Sequence, residues 1–183
     1  MKDRRIILGV TGSIAAYKAA EIAGSLLREG AEATVVMTAA AQRFVTPLTF
    51  ETLTRRPVVT DMWTRTPYRE PVHIGLAEWA DLMVVAPASA NFIGKFANGI
   101  ADDMLSCMAL AVPQPAVIAP AMNDAMYRHA AVQENLETLK RRGCRVIDPV
   151  EGRLASGKTG VGRLAPVEDI LAVIREELSK RAR

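Results

Sequence analysis

Apolar positions recur along this chain in two alternating rhythms. Arg5–Val10 is a short, almost unbroken aliphatic run, the pattern of a strand buried on both faces. Thr11-Gly12-Ser13 reads as a tight turn, and Ser13 is placed to cap a helix over residues 14–28. In that helix Ala15, Ala19, Ile22, Ala23 and Leu26 share one face, and Gly30 stops it. Glu32–Met37 predicts a second strand, completing a strand–helix–strand unit. The alternation continues with strands at 82–86, 116–119 and 145–147 and helices at 90–98, 103–112 and 129–142. Pro166 opens a last helix whose Val167, Ile170, Leu171, Ile174 and Leu178 share a face. Strands alternating with helices predict an α/β fold: one parallel sheet with helices on both faces. The glycine-rich stretch at about 150–165 fits neither rhythm and reads as a loop or flap. No repeat or linker divides residues 1–183, so one domain is expected.

Composition narrows the class. Half of the 183 residues are apolar and 23% are charged, which excludes a disordered chain. The formal net charge of +3 is not gathered into a basic cluster, and the tail Lys180-Arg181-Ala182-Arg183 reads as solvated, so no nucleic-acid partner is expected. Two well-separated cysteines, Cys107 and Cys144, and two histidines argue against a disulfide framework or a metal cluster and fit a reducing cytoplasm. The longest uncharged stretch, 104–123, contains three prolines, which argues against a membrane span.

Three turns after strands carry candidate chemistry, because ligands of open α/β sheets bind at the carboxyl ends of the strands. Gly9-x-x-Gly12-Ser13 offers backbone N–H groups and a helix N-terminus to a phosphate. The dinucleotide fingerprint G-x-G-x-x-G is absent, which disfavours NAD. An ordinary strand–helix turn accounts for the same residues equally well. In Pro87-Ala88-Ser89-Ala90-Asn91, small residues let a ring approach the backbone, although Ser89 alone is better read as a helix cap. In Pro120-Ala121-Met122-Asn123, Asn123 alone is a usual turn residue. His73 is by itself more often structural than catalytic, and His129 reads as a surface residue.

Together these segments resemble one family, the flavin-containing cysteine decarboxylases, on the branch that serves coenzyme A biosynthesis. The resemblance is carried by Gly12-Ser13-Ile14-Ala15-Ala16-Tyr17-Lys18, His73 with Trp79-Ala80-Asp81, PASANFIGK from Pro87 to Lys95, Ala101-Asp102-Asp103-Met104-Leu105, and PAMNDAM from Pro120 to Met126. It spans about residues 5 to 170. It implies a flavodoxin-like fold that binds FMN. Gly12, Ser13 and Ile14 would cradle the phosphate and Thr38 would add a contact. Ser89, Ala90, Asn91 and Phe92 would hold the flavin, with Ala121 beside it. His73 would be the base, and Lys18, Asn123 and Met126 would meet the substrate.

The implied activity is FMN-dependent decarboxylation of 4'-phosphopantothenoylcysteine to 4'-phosphopantetheine. A cysteine carboxylate has no electron sink. Oxidising the thiol to a thioaldehyde provides one, loss of carbon dioxide leaves an enethiolate, and hydride return completes the reaction. Alternatives within the family are oxidative decarboxylation of a peptide's C-terminal cysteine to an aminoenethiol, and a non-catalytic FMN-binding regulatory subunit. Members assemble as homotrimers or multiples of trimers with the active site at subunit contacts. The length leaves no room for the synthetase domain of bifunctional members, so a separate synthetase is an expected partner. Two positions depart from the family pattern. Ala155-Ser156-Gly157 stands where the family's flap has Ala-Cys-Gly, so Ser156 would take the place of the acid that finishes the reaction. Tyr127 stands where the family has Trp.

Overall fold

A computed structural model describes residues 1–63, 72–155 and 157–180. Five strands form one parallel sheet: β1 (Arg5–Val10), β2 (Glu32–Met37), β3 (Leu82–Ala88), β4 (Val117–Pro120) and β5 (Arg145–Val146). Their order is β2-β1-β3-β4-β5. This is the flavodoxin-like order, and the direction of winding reverses between β1 and β3, where a crevice opens.

The buried strands explain why the sequence alternates as it does. Along β1, Ile6, Leu8 and Val10 enter one core and Ile7 enters the other. In β3, Leu82, Val84 and Ala86 face the first core and Met83 and Val85 the second. Such two-sided burial is why these strands read as continuous apolar runs. The first core is covered by α1 (Ala16–Arg28), α2 (Pro47–Thr54) and α8 (Val167–Ser179). The second is covered by α3 (Val72–Trp79), α4 (Ala90–Asn98), α5 (Met104–Ala111) and α7 (Ala130–Arg141). A short helix, α6 (Asp124–Arg128), leads into α7.

Several expected boundaries move, each for a local reason. α1 starts at Ala16 rather than at residue 14, with Ala15 and not Ser13 at its cap. A separate turn intervenes: Ser13 N–H donates to Thr11 O at 2.9 Å and Ala16 N–H to Ser13 O at 2.9 Å. The Ser13 hydroxyl accepts from Ala15 N–H, at 3.3 Å. His129 is not merely a surface residue. Its Nδ1 accepts from Ala131 N–H at 3.2 Å and caps α7. The expected loop at about 150–165 is largely an antiparallel hairpin of β6 (Val150–Arg153) and β7 (Thr159–Arg163). Its glycines hide the strand signal, because Gly152 and Gly160 pair with each other and leave no side-chain alternation to read. Arg181, Ala182 and Arg183 of the basic tail lie outside the described residues.

α8 holds the first core closed. Ile170, Leu171 and Ile174 are almost wholly buried. Truncation of Ile174 to Ala is expected to cost about 2–5 kcal/mol of stability, since the fixed sheet behind it cannot collapse into the space. A urea titration checks this through a lower midpoint at unchanged slope.

Candidate active site

The carboxyl ends of β1, β3 and β4 are joined by a relay of hydrogen bonds. The Thr11 hydroxyl, just past β1, is buried. It donates to Pro87 O at 2.7 Å and accepts from Ser89 N–H at 2.8 Å. Thr11 N–H also donates to Pro87 O, at 3.3 Å. One strand further on, Ala121 N–H donates to Ala88 O at 3.1 Å. Met122 N–H then donates to Gly162 O at 2.9 Å, which brings in β7 of the hairpin. Sequence reasoning treated Thr11 as one residue of a tight turn. Its β-branched hydroxyl directly after a buried strand was the available signal.

A cavity of about 1080 Å³ lies along this edge. That is slightly above the usual range for ligand pockets, about 300–1000 Å³. It is lined by Gly12, Ser13 and Ile14 from the first turn and by Thr38 from the end of β2. Ser89, Ala90, Asn91 and Phe92 contribute from the start of α4, and Ala121, Asn123 and Met126 from the segment after β4. Lys18 of α1 lines it too. Ser89 caps α4, its hydroxyl accepting from Phe92 N–H at 3.4 Å. The Phe92 ring is buried in the second core against Phe96, with ring centroids 5.8 Å apart. Asn123 caps α6, with Oδ1 accepting from Ala125 N–H at 3.0 Å. That fixes the amide and leaves its NH₂ to donate elsewhere.

Two expected site residues are not gathered here. His73 lies on α3, against the second core, and does not line the cavity. Ser156 lies outside the described residues. Conversely, Asp103, Arg153 and Arg163 line the cavity. Asp103 lies in a segment that carries the family resemblance but was given no role, and the two arginines lie in the glycine-rich stretch. Asp103 caps α5 in a reciprocal box with Ser106, accepting from Ser106 N–H at 2.9 Å and from Lys95 Nζ at 2.9 Å. Burial alone would raise its pKa, but the hydrogen bonds from Ser106 and Lys95 outweigh it and hold the carboxyl below its ordinary value. Tyr127 is pushed up to about 12, first by burial and then by Asp148, to whose carboxylate its hydroxyl donates at 3.2 Å. It therefore stays a donor across the working pH range, tying α6 to the segment before β6.

The residues present suit a phosphorylated flat cofactor. A Cβ on Gly12 would stand 2.5 Å from Ala40 Cβ, so the bare backbone there is a steric requirement. The small Ala90 and Ala121 leave room for a ring. Among the described residues no group of His, Cys, Asp and Glu could hold a metal ion, and no helix is long and apolar enough to cross a membrane.

Comparison with known proteins agrees with this geometry. The Flavoprotein family matches residues 1–179. The bifunctional coenzyme A biosynthesis protein CoaBC of Bacillus subtilis (strain 168) is 46% identical over 98% of this chain. Its counterpart in Escherichia coli (strain K12) is 43% identical over 90% of it. The chain spans 44% and 40% of those two relatives. Among solved structures, a cysteine-to-serine mutant of PPC decarboxylase complexed with pantothenoylaminoethenethiol superposes with a TM-score of 0.84 at 32% identity, covering 96% of this chain and 98% of that one. The FMN-dependent cysteine decarboxylase SpaF does so at 0.85 and 34%, covering 98% of each.

Thr11→Val keeps the shape and the backbone bond from residue 11 to Pro87 O, but it strands Ser89 N–H and removes the shorter of the two bonds to Pro87 O. It is expected to cost about 1–3 kcal/mol and to weaken flavin binding, read from urea midpoints and flavin fluorescence. Asp103 contributes stability that is full above its unfolded pKa of about 3.9 and is lost as pH falls through the lower folded value. Asp103→Asn should therefore flatten the acid limb of a stability–pH curve and leave the limb above pH about 6 parallel to wild type.

Proposed function

The chain belongs to the Flavoprotein family, and from that premise we propose that it binds FMN and decarboxylates 4'-phosphopantothenoylcysteine to 4'-phosphopantetheine in coenzyme A biosynthesis. The observation that carries this reading is the single cavity joining the Gly12 turn, the start of α4 and the Asn123 segment beneath the hairpin. The CoaBC relatives and the PPC decarboxylase fold support the substrate.

When bound, FMN supplies the two-electron sink that a cysteine carboxylate lacks. The chain's own residues do the rest. Backbone N–H groups of Gly12 and Ile14, the Ser13 hydroxyl and the α1 terminus would hold a phosphate dianion. Ala90 and Ala121 would leave space for the flavin ring, and Ser89, Asn91 and Phe92 would hold it. The free NH₂ of Asn123 donates to the substrate carboxylate and orients the bond to be broken. Met126 lies half exposed beside it and offers an apolar contact.

The thiol also needs a base, and His73 does not line the cavity of its own chain. We assign it to the cavity of a neighbouring copy in a homotrimer, or in a multiple of trimers. Exposed apolar side chains at the cavity rim, Ile14, Tyr17, Phe44 and Met126, support burial of that rim against another subunit. Two free cysteines support residence in the reducing cytoplasm. The synthetase of the longer relatives is the proposed metabolic partner.

One observation favours a second reading of the final step. The similar solved structure that carries pantothenoylaminoethenethiol is a cysteine-to-serine mutant, and Ser156 is a serine within Ala155-Ser156-Gly157. A cysteine thiol has a pKa of about 8.5, and a serine hydroxyl is a far weaker acid. With serine there, proton return lags and the enethiol accumulates, unless water or Lys158 delivers the proton.

Turnover by FMN-loaded protein is to be compared on 4'-phosphopantothenoylcysteine and on a peptide ending in cysteine. Activity on the peptide alone would sink the proposed substrate. Activity on neither would leave a regulatory flavin binder. His73→Asn should keep yellow flavin and the oligomer yet lose at least about 100-fold in turnover. In anaerobic single turnover, Ser156→Cys should abolish any enethiol that the wild type accumulates. Equal yields of reduced product from both would place the proton donor elsewhere.

A further inference from the structure

We propose that Arg153 and Arg163, the two guanidinium groups that the hairpin contributes to the cavity, read the phosphomonoester end of the thiol substrate and make the enzyme prefer phosphorylated over unphosphorylated thiols. The assignment rests on the decarboxylase reading above and names the residues that would set its substrate class.

Charge bookkeeping in the cavity comes first. Its lining contains the cations Lys18, Arg153 and Arg163 and one carboxylate, Asp103. Asp103 is already engaged by Lys95 and Ser106. Some arginines elsewhere are matched, Arg56 with Glu32, Arg175 with Glu29 and Arg5 with Asp81, while others, such as Arg43, Arg55 and Arg128, make no ion pair among the described residues. Arg153 and Arg163 make no ion pair among the described residues. Two guanidinium groups without a carboxylate partner at one cavity wall favour an arriving anion.

Position comes second. The hairpin is pinned to the substrate side of the cavity by Met122 N–H on Gly162 O. A Cβ at Gly162 would stand 2.2 Å from Met122 O, and one at Gly160 2.9 Å from Asp124, so glycine permits this close docking. Arg163 follows Gly162 directly, so its backbone is fixed relative to Asn123. Its side chain then lies back across the hairpin over Gly152, where a Cβ would stand 3.0 Å from Nη1 and 3.3 Å from Cδ. Gly152 is thus the gap through which the Arg163 side chain passes.

On this reading the two phosphates lie apart along the carboxyl edge of the sheet. The cofactor phosphate belongs at the Gly12 turn beyond β1, with Lys18 nearby on α1. The arginines stand beyond β4, with β3 between. A guanidinium fork matches phosphate oxygens two at a time, and it gains nothing comparable from a neutral hydroxyl. Both arginines are exposed, so the recognition is partly screened by solvent and salt.

The test uses the FMN-loaded full chain and its variants Arg153→Gln and Arg163→Gln, with 4'-phosphopantetheine and pantetheine as calorimetric probes. Wild type should bind the phosphorylated thiol at least about 30-fold more tightly. Each variant should remove about 5- to 30-fold of that preference and leave pantetheine affinity within about twofold. Flavin affinity, read by fluorescence, should be unchanged. Equal binding of both thiols by wild type, or equal weakening of both in the variants, would overturn the assignment. Loss of flavin instead of thiol preference would overturn it too, by giving the arginines to the cofactor. Turnover separates the two levels. Arginine-dependent preference without decarboxylation refutes the functional reading alone, and decarboxylation indifferent to the phosphate refutes the arginine assignment alone.

Discussion

The Thr11 hydroxyl is the constraint on which the site depends. It is buried where β1 and β3 end, and it is the partner of both Pro87 O and Ser89 N–H. A parallel sheet hydrogen-bonds its strands along their length, but beyond the carboxyl ends each chain must diverge into its own connection. At a point where the winding direction reverses, the two connections leave on opposite faces and a crevice opens between them. Without a bridge, the crevice walls would be set only by the loops themselves. Thr11 supplies that bridge with a single short side chain, and the relay through Ala121 and Met122 carries the same fixation to β4 and the hairpin. The cavity is consequently bounded by backbone held to the sheet, which preserves its width.

The same economy governs charge around the cavity. The Asp103 carboxylate could have disfavoured anionic ligands. It is spent instead on an N-cap and on Lys95, which also contacts Asp102 at 2.7 Å. Helix ends, capped here by Ser89, Asp103 and Asn123, leave their positive ends turned to one side of the sheet. Those partial charges, with Lys18, Arg153 and Arg163, give the cavity the sign that suits a flavin phosphate and an acidic thiol together.

Much of this was legible in the sequence, and the exceptions have physical causes. The central strands β1 and β3 were readable because burial on both faces makes them almost uniformly apolar. The three turns were readable because small and capping residues must stand where a ligand approaches backbone. What escaped was structure whose signal lies in pairing rather than periodicity. The hairpin pairs glycine with glycine, so β6 and β7 leave no alternation. The role of Thr11 depends on which strand lies beside β1, and neighbourhood in a sheet does not follow chain order. The arginines of the hairpin escaped for a related reason. A cation in a glycine-rich stretch looks solvated until its strand is placed against the segment after β4. His73 shows the converse case, a residue legible by resemblance that the fold of one chain does not bring to the cavity.

That separation bears on how the site can be finished. A cavity of about 1080 Å³ is a large fraction of the space one small sheet can wall. α1 and α4 enclose two sides, and the hairpin covers a third. The rim is left with Ile14, Tyr17 and Met126 about half exposed or more. Exposed apolar side chains gathered at one place call for a partner surface in a way that scattered ones do not. Enclosing the site within one chain would require a further element over α1, and such an element would compete with the substrate for entry. On the proposed mechanism, a neighbouring copy would close the rim without occupying the entrance guarded by the hairpin, and it would bring a base to the thiol from outside the network that fixes the walls. Assembly and catalysis would then share a surface. A defect in packing between copies would be felt first as loss of proton transfer, while the flavin, held by the walls of one chain, would remain.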